Sequence, residues 1–263
     1  MREVDEALSR AFAIKGASAP SAAEVPPAPH RPRKGSPARP SRVFLPPAAG
    51  AEPAGRGLAW PEVVSVLEGE WGDRFLQMGD RVLEAREKAG VRVLLFTSCH
   101  RAEGRSTLVL TLARTLARRP LRTLIVDADL TGPMLARSLG LRPEVGLDDV
   151  VEDGKPLDDA IIESPADNLW ILPMRSAVSR PRDFLASAGW ACTMARLRRE
   201  FDLVLVDGSP LFTGLSAAVL HSSVDAAVLV HSRDATGGRS ILRAREVLEG
   251  GGVPLLGLAE TFA

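Results

Sequence analysis

The sequence predicts a doubly wound α/β domain with a mainly parallel sheet, set behind a proline-rich arm. Three observations predict it. Six short apolar runs have strand length and almost no internal polar residue, as strands covered on both faces require. Helical patterns separate them, which gives the right-handed crossovers of a parallel sheet. Three of the runs end in residues able to handle phosphate or a metal, and ligands of open parallel sheets sit beyond those carboxyl ends.

The elements follow in chain order. Residues 1–15 place Val4, Leu8 and Phe12 at spacings of four among charges, predicting a short amphipathic helix that is marginal alone. Over 16–58 the composition turns to Ala, Pro, Ser and Arg, and half of the prolines lie here. That composition predicts a disordered linker. Its stretch HRPRKGSPARPSR carries five positive side chains and no acid, a weak attraction for anionic lipid or polyphosphate. The domain is placed at 59–263. It opens with the helical pattern WPEVVSVLEGEWGDRFLQMGDRVLEAREKAG, closed by Gly90, and continues with the runs VRVLLF, TLIVDAD, NLWILPM, DLVLVDG, DAAVLV and PLLGLA.

The bulk properties limit what this domain does. With 263 residues, the chain has enough length for one α/β core without disulfides. Cys99 and Cys192 follow no metal or redox spacing, which suits a reducing cytoplasm. The 33 basic and 33 acidic side chains balance, with the basic excess confined to the arm, so nucleic acid is not the expected partner of the folded part. No run reaches the ~20 apolar residues of a membrane span, and MREVDEALSR lacks a signal-peptide core. The expected location is cytoplasmic, with a peripheral position at the inner face of the membrane.

The chemistry concentrates at strand ends. The first run leads into SCHRAEGRST, the second ends in Asp127 and Asp129, and the fourth ends in Asp207. A phosphate loop works through successive backbone N–H groups and a helix N-terminus aimed at phosphate oxygens, with a hydroxyl and carboxylates around Mg²⁺. Arg101, Ala102, Glu103, Gly104, Arg105, Ser106 and Thr107 are the candidate phosphate-binding residues. Ser106, Asp127 and Asp207 are the candidate metal-shell residues.

With these residues in view, the chain resembles the P-loop domain of the bacterial tyrosine kinases that regulate capsule and exopolysaccharide synthesis, within the deviant-Walker group of partition and septum-site ATPases. The resemblance covers about 60–260. TSCHRAEGRST stands against the family's TSxxPGEGKST, DADLTGP against DxDxRxP, and LVLVDGSP against a hydrophobic run followed by DxPP. LGLRPEVGLDDVVEDGKPLDDAI and NLWILPMRSAVSRPRDFLAS are similar to the family's intervening segments. The resemblance implies a P-loop NTPase-like fold, ATP and Mg²⁺ as cofactors, Asp127 and Asp129 as catalytic carboxylates, and Asp207 in the metal shell. It also implies a membrane polysaccharide chain-length or co-polymerase protein as partner, and a homo-oligomer.

The departures bear on activity. Arg105 replaces the loop lysine, keeping charge but not a compact point-like geometry. Arg101 and Ala102 replace a Pro-Gly pair, Thr131 replaces the arginine of the second motif, and His100 stands where partition ATPases carry their signature lysine. Glu260 falls near the asparagine that contacts adenine, and a carboxylate lacks an amide's N–H donors. The sequence holds no tyrosine, so self-phosphorylation on tyrosine is excluded by composition, and it lacks a tyrosine-rich tail and a clean E-x-x-R-x-x-R assembly motif. The sequence therefore leaves three readings open. They are a nucleotide-binding regulator whose kinase or ATPase activity acts in trans, a non-catalytic pseudo-kinase adaptor, and a partition-like positioning ATPase.

Overall fold

The computed structural model describes residues 57–213 and 223–261. The helix expected over 1–15 and nearly all of the linker expected over 16–58 lie outside them. The opening helical pattern forms α1 (Glu62–Ala89), bent at Trp71, where φ −127° and ψ 15° leave the helical range. Gly90 ends it in the left-handed conformation (φ 70°) that glycine adopts without a Cβ penalty. Its N–H reaches the Arg86 carbonyl at 3.0 Å, and Val91 N–H reaches that of Ala85 at 3.4 Å, which satisfies helix-end carbonyls.

All six apolar runs are strands. They are β1 (Val93–Ser98), β2 (Thr123–Ala128), β4 (Leu169–Leu172), β5 (Leu203–Gly208), β6 (Ala226–Ser232) and β7 (Leu255–Thr261). A seventh, β3 (Ile162–Ser164), is too short to announce itself by periodicity. It pairs antiparallel with β4 through the hairpin made by the 3₁₀ turn Pro165–Asp167 and left-handed Asn168. The sheet order is β3-β4-β2-β5-β1-β6-β7, and every other pairing is parallel. The doubly wound, mainly parallel fold expected from the sequence is the observed one.

Strand alternation divides the core into two layers. Leu94, Phe96, Ile125, Leu203, Leu205 and Val228 face α1 and α2 (Arg105–Leu116). Val93, Leu95, Leu124, Val126, Val204 and Val206 face the other side. That side is covered by α4 (Leu147–Glu152), α6 (Pro181–Ala186), α7 (Ala188–Glu200) and α8 (Gly238–Gly250), with Trp190 fully buried. Two single turns, α3 (Leu135–Ser138) and α5 (Leu157–Ala160), complete the connections. Because both faces are covered, neither residue parity can be polar along most of a strand, and the runs read as continuously apolar. Among the described residues, no helix is long and apolar enough to cross a membrane.

Packing already begins at the first described residues. Asp167 accepts hydrogen bonds from Leu58 N–H at 2.7 Å, Trp60 Nε1–H at 2.8 Å and Ser164 Oγ–H at 2.6 Å. Burial alone would raise this carboxyl's pKa, but the three donors more than offset it and hold it below the usual carboxylate range. Asp167→Ala should therefore lower stability by about 1–3 kcal/mol, the cost of stripping partners from part-buried donors. Urea unfolding of the full chain checks this; an unchanged midpoint would show that the clamp contributes nothing.

Candidate functional site

Between β1 and α2 the chain turns through residues 99–104. Gly104 takes φ 74° and ψ 7°, and a Cβ there would stand 3.2 Å from the Thr261 side chain. Ala102 also has positive φ, 61°. A residue with a Cβ pays about 1–2 kcal/mol for that conformation, so Ala102 holds this turn at the cost of strain. Glu103 holds it in place. Its carboxylate is 3% exposed and accepts from the Thr236 hydroxyl and from His100 N–H at 2.9 Å, while its carbonyl accepts from Thr261 Oγ–H at 2.8 Å. The same carboxylate and burial push the Cys99 thiol up to about 11, burial being the larger cause, which leaves no thiolate nucleophile there.

With the loop so shaped, the backbone N–H groups of residues 101–107 donate to no protein acceptor among the described residues. They border a cleft of about 220 Å³ that includes Ser98, Ser106, Thr107, Asp129 and Asp207. Unpaired N–H groups at a helix N-terminus form an anion-binding concavity. Residues 101–107 are therefore brought together as the sequence predicts. Glu103 contributes backbone only, because its carboxylate is turned inward.

Asp127 and Asp207 come together for a reason of register, while Asp129 follows the end of β2; Asp129 and Asp207 line the cleft and Asp127 does not. Asp127 of β2 and Asp207 of β5 are direct partners across the parallel pair, both of the parity that faces α2. Ser98, at the end of β1, shares that parity. Arg105, in the first turn of α2, points into this group and is 7% exposed. Its Nε–H donates to Asp207 Oδ1 at 2.6 Å, Nη2–H to Asp129 Oδ2 at 3.0 Å and Nη1–H to Ser98 Oγ at 3.2 Å. Burial disfavours its charge, but Asp207 and then Asp129 reverse this, so its pKa is raised and the guanidinium stays charged.

Asp127 is 1% exposed and accepts N–H bonds from Leu135 at 3.0 Å and Asp129 at 3.2 Å. Desolvation, followed by the Asp207 charge, pushes its carboxyl up to about 7 despite those donors. Asp129 is 5% exposed and meets Arg105, Arg101 (3.4 Å), Thr131 Oγ (3.2 Å) and Ser209 Oγ (3.2 Å). Both carboxylates proposed for catalysis are thus within the cluster, each with its lone pairs engaged by protein donors.

Two of the positions that depart from the family resemblance meet in space. Arg101 Nη2–H donates to Thr131 Oγ at 2.6 Å, so the cation missing at 131 stands on the facing loop at 101. Sequence reasoning treated the two positions separately and missed Ser98 and Ser209. Opposite changes of charge at the two motifs were the available signal. His100 is exposed and packs edge-on against Phe212 at 5.5 Å. Glu260 pairs in register with His231 on β6, with Arg233 at 3.9 Å, and does not line the cleft.

Magnesium requires near-octahedral oxygen ligation and retains several waters. Ser106 has a free hydroxyl among the described residues, but Asp129 and Asp207 are ion-paired to a guanidinium, and Asp127 accepts two backbone donors. No described group of three or more His, Cys, Asp or Glu is arranged to hold a metal ion. As they stand, the residues do not fit a magnesium shell.

A glycine-turned loop before a helix N-terminus, facing carboxylates at neighbouring strand ends, defines a P-loop NTPase-like domain. Within that class the chain is similar to bacterial tyrosine kinases. Tyrosine-protein kinase CpsD of Streptococcus pneumoniae is 25% identical over 169 residues, covering 64% of this chain and 74% of the relative. Putative tyrosine-protein kinase CapB of Staphylococcus aureus is 25% identical over 185 residues, covering 70% and 81%. The BceF tyrosine kinase domain shares the fold at TM-score 0.67 and 24% identity, over 75% of this chain and 81% of that one. The septum-site-determining protein MinD of Pyrococcus horikoshii, solved with Mg-ADP, follows at TM-score 0.53 and 25% identity, over 64% and 68%. No protein-family profile matches the chain.

The raised Asp127 pKa gives a pH signature. A carboxyl whose folded pKa lies above its unfolded value contributes stability below about pH 4 and loses it as pH rises toward 7. Asp127→Asn lacks this loss, so the stability of the native protein relative to the variant should fall by about 2–4 kcal/mol between pH 4 and 8. Denaturant titrations of both proteins across this range check it; parallel curves would show that Asp127 is ionised throughout.

Proposed function

We propose that this protein is a nucleotide-binding, kinase-related regulator of capsule or exopolysaccharide synthesis or export, with little phosphoryl-transfer activity of its own. The open row of N–H groups from 101 to 107 at the N-terminus of α2 carries the nucleotide part of this reading. Such a cradle matches the β- and γ-phosphates of ATP. The resemblance to the bacterial tyrosine kinases supplies the biological setting. It suggests a homo-oligomer docked on a membrane chain-length or co-polymerase protein at the inner face of the membrane.

Low turnover follows from the captured cation. Phosphoryl transfer is catalysed mostly by positioned charge, and the Arg105 guanidinium, which lines the cleft, is already ion-paired with Asp129 and Asp207. The same observation favours a second reading, a pseudo-kinase adaptor whose loop holds nucleotide for structure alone. With no tyrosine in the sequence, any tyrosine phosphorylation acts on another protein.

A ligand at 100 times its dissociation constant stabilises the fold that binds it by about 2.7 kcal/mol. Thermal unfolding with saturating ATP in magnesium buffer should show a stabilisation of that order, with ATP hydrolysis and tyrosine-peptide phosphorylation near background. An absent shift at millimolar ATP would remove the nucleotide from the reading. Rapid turnover would remove the claim of low activity.

A further inference from the structure

The cleft has an unusual charge arrangement for a phosphate loop. Two cations, Arg101 and Arg105, face two carboxylates, Asp129 and Asp207, with contacts from 2.6 to 3.4 Å. The third carboxylate, Asp127, accepts two backbone N–H groups. A dication entering here would meet a guanidinium already seated between the carboxylates that would otherwise attract it. Displacing that guanidinium would leave a permanently charged, buried Arg105 without partners, which strongly opposes the exchange.

The two arginines are not equivalent. Arg105 is fixed, with its side chain 8% exposed and three different residues accepting from it. Arg101 lies at the cleft mouth with its side chain 50% exposed, and its bonds to Asp129 are long, 3.4 and 3.5 Å. Its one short bond is to a neutral hydroxyl, Thr131 Oγ at 2.6 Å, so turning to a phosphate oxygen exchanges that bond and two long ones for charge-assisted bonds to an anion. Guanidinium pairs with phosphate through two parallel N–H donors.

We propose that the cleft binds the polyphosphate of a nucleotide without a divalent cation. Arg105 already neutralises Asp129 and Asp207, and Arg101 supplies positive charge that a divalent cation would otherwise bring to the phosphates. The proposal rests on the nucleotide reading above and sharpens its ligand from a metal–nucleotide complex to the free polyphosphate. The row of N–H groups at 101–107 binds the same oxygens in either case, so affinity without metal depends on Arg101.

Calorimetric titration of the full chain with ATP, in excess magnesium and separately in excess EDTA, tests this. The dissociation constant in EDTA should lie within about threefold of that in magnesium. Arg101→Ala, a change at a half-exposed side chain, should weaken ATP binding in EDTA about tenfold or more. ATP binding that is weaker in EDTA by more than threefold overturns the proposal while leaving the nucleotide reading intact. Equal affinity of the Arg101→Ala and native proteins in EDTA overturns the role of Arg101. No binding in either buffer removes the proposal and the nucleotide reading together.

Discussion

A guanidinium cannot lose its proton in a protein, so one buried in the first turn of a helix must find carboxylates or the fold fails around it. Arg105 finds two, and most of the site's geometry follows from that constraint. Its Nε and Nη2 donors tie α2 to the ends of β5 and the segment following β2, and Nη1 ties it to the end of β1. A buried ion pair carries a large desolvation cost, repaid when the geometry is good and other lone pairs are also satisfied. Here Ser209, Thr131 and Arg101 satisfy the rest of Asp129.

The sheet makes this possible. The parallel register sets Asp127 beside Asp207, and Phe96 beside Asp207 on the other flank, so side chains of one parity from three strands meet under the start of α2. Gly104 and Ala102, both at positive φ, turn the loop, whose N–H groups find no acceptor among the described residues, while Glu103 is drawn in toward Thr236 and Thr261. The outcome is a loop whose N–H groups donate to no acceptor among the described residues and whose neighbouring side-chain charges are paired with one another. On the proposed reading such a site holds an anion and is less suited to moving a phosphoryl group.

The sequence made much of this visible, because continuous apolar runs and strand-end polar residues are local signals. The six long strands, the α1 helix and its Gly90 stop, and the gathering of 101–107 with Asp127, Asp129 and Asp207 could all be read from spacing. Three-residue β3 could not, since its pairing comes from the hairpin at Pro165–Asp167 rather than from its own periodicity. The partners of Arg105 were also hidden. Spacing places a cation near carboxylates, but only side-chain reach decides whether it meets them or the ligand. Arginine spans Asp129 and Asp207 at once because its donors are spread along a planar fork, whereas a lysine presents its donors from a single nitrogen. The link between Arg101 and Thr131 could have been noticed, because a charge lost at one motif reappears at another.

The central claim is that Arg105 and Asp207 are energetically one unit. A double-mutant cycle in urea unfolding, with Arg105→Met, Asp207→Asn and the combination, measures it directly. The account predicts that the double variant is more stable than the sum of the single losses by about 2 kcal/mol or more, because each single change strands a buried partner. Additive losses would show that the two side chains do not depend on each other, and the reading of the cleft as neutralised by its own arginine would be wrong.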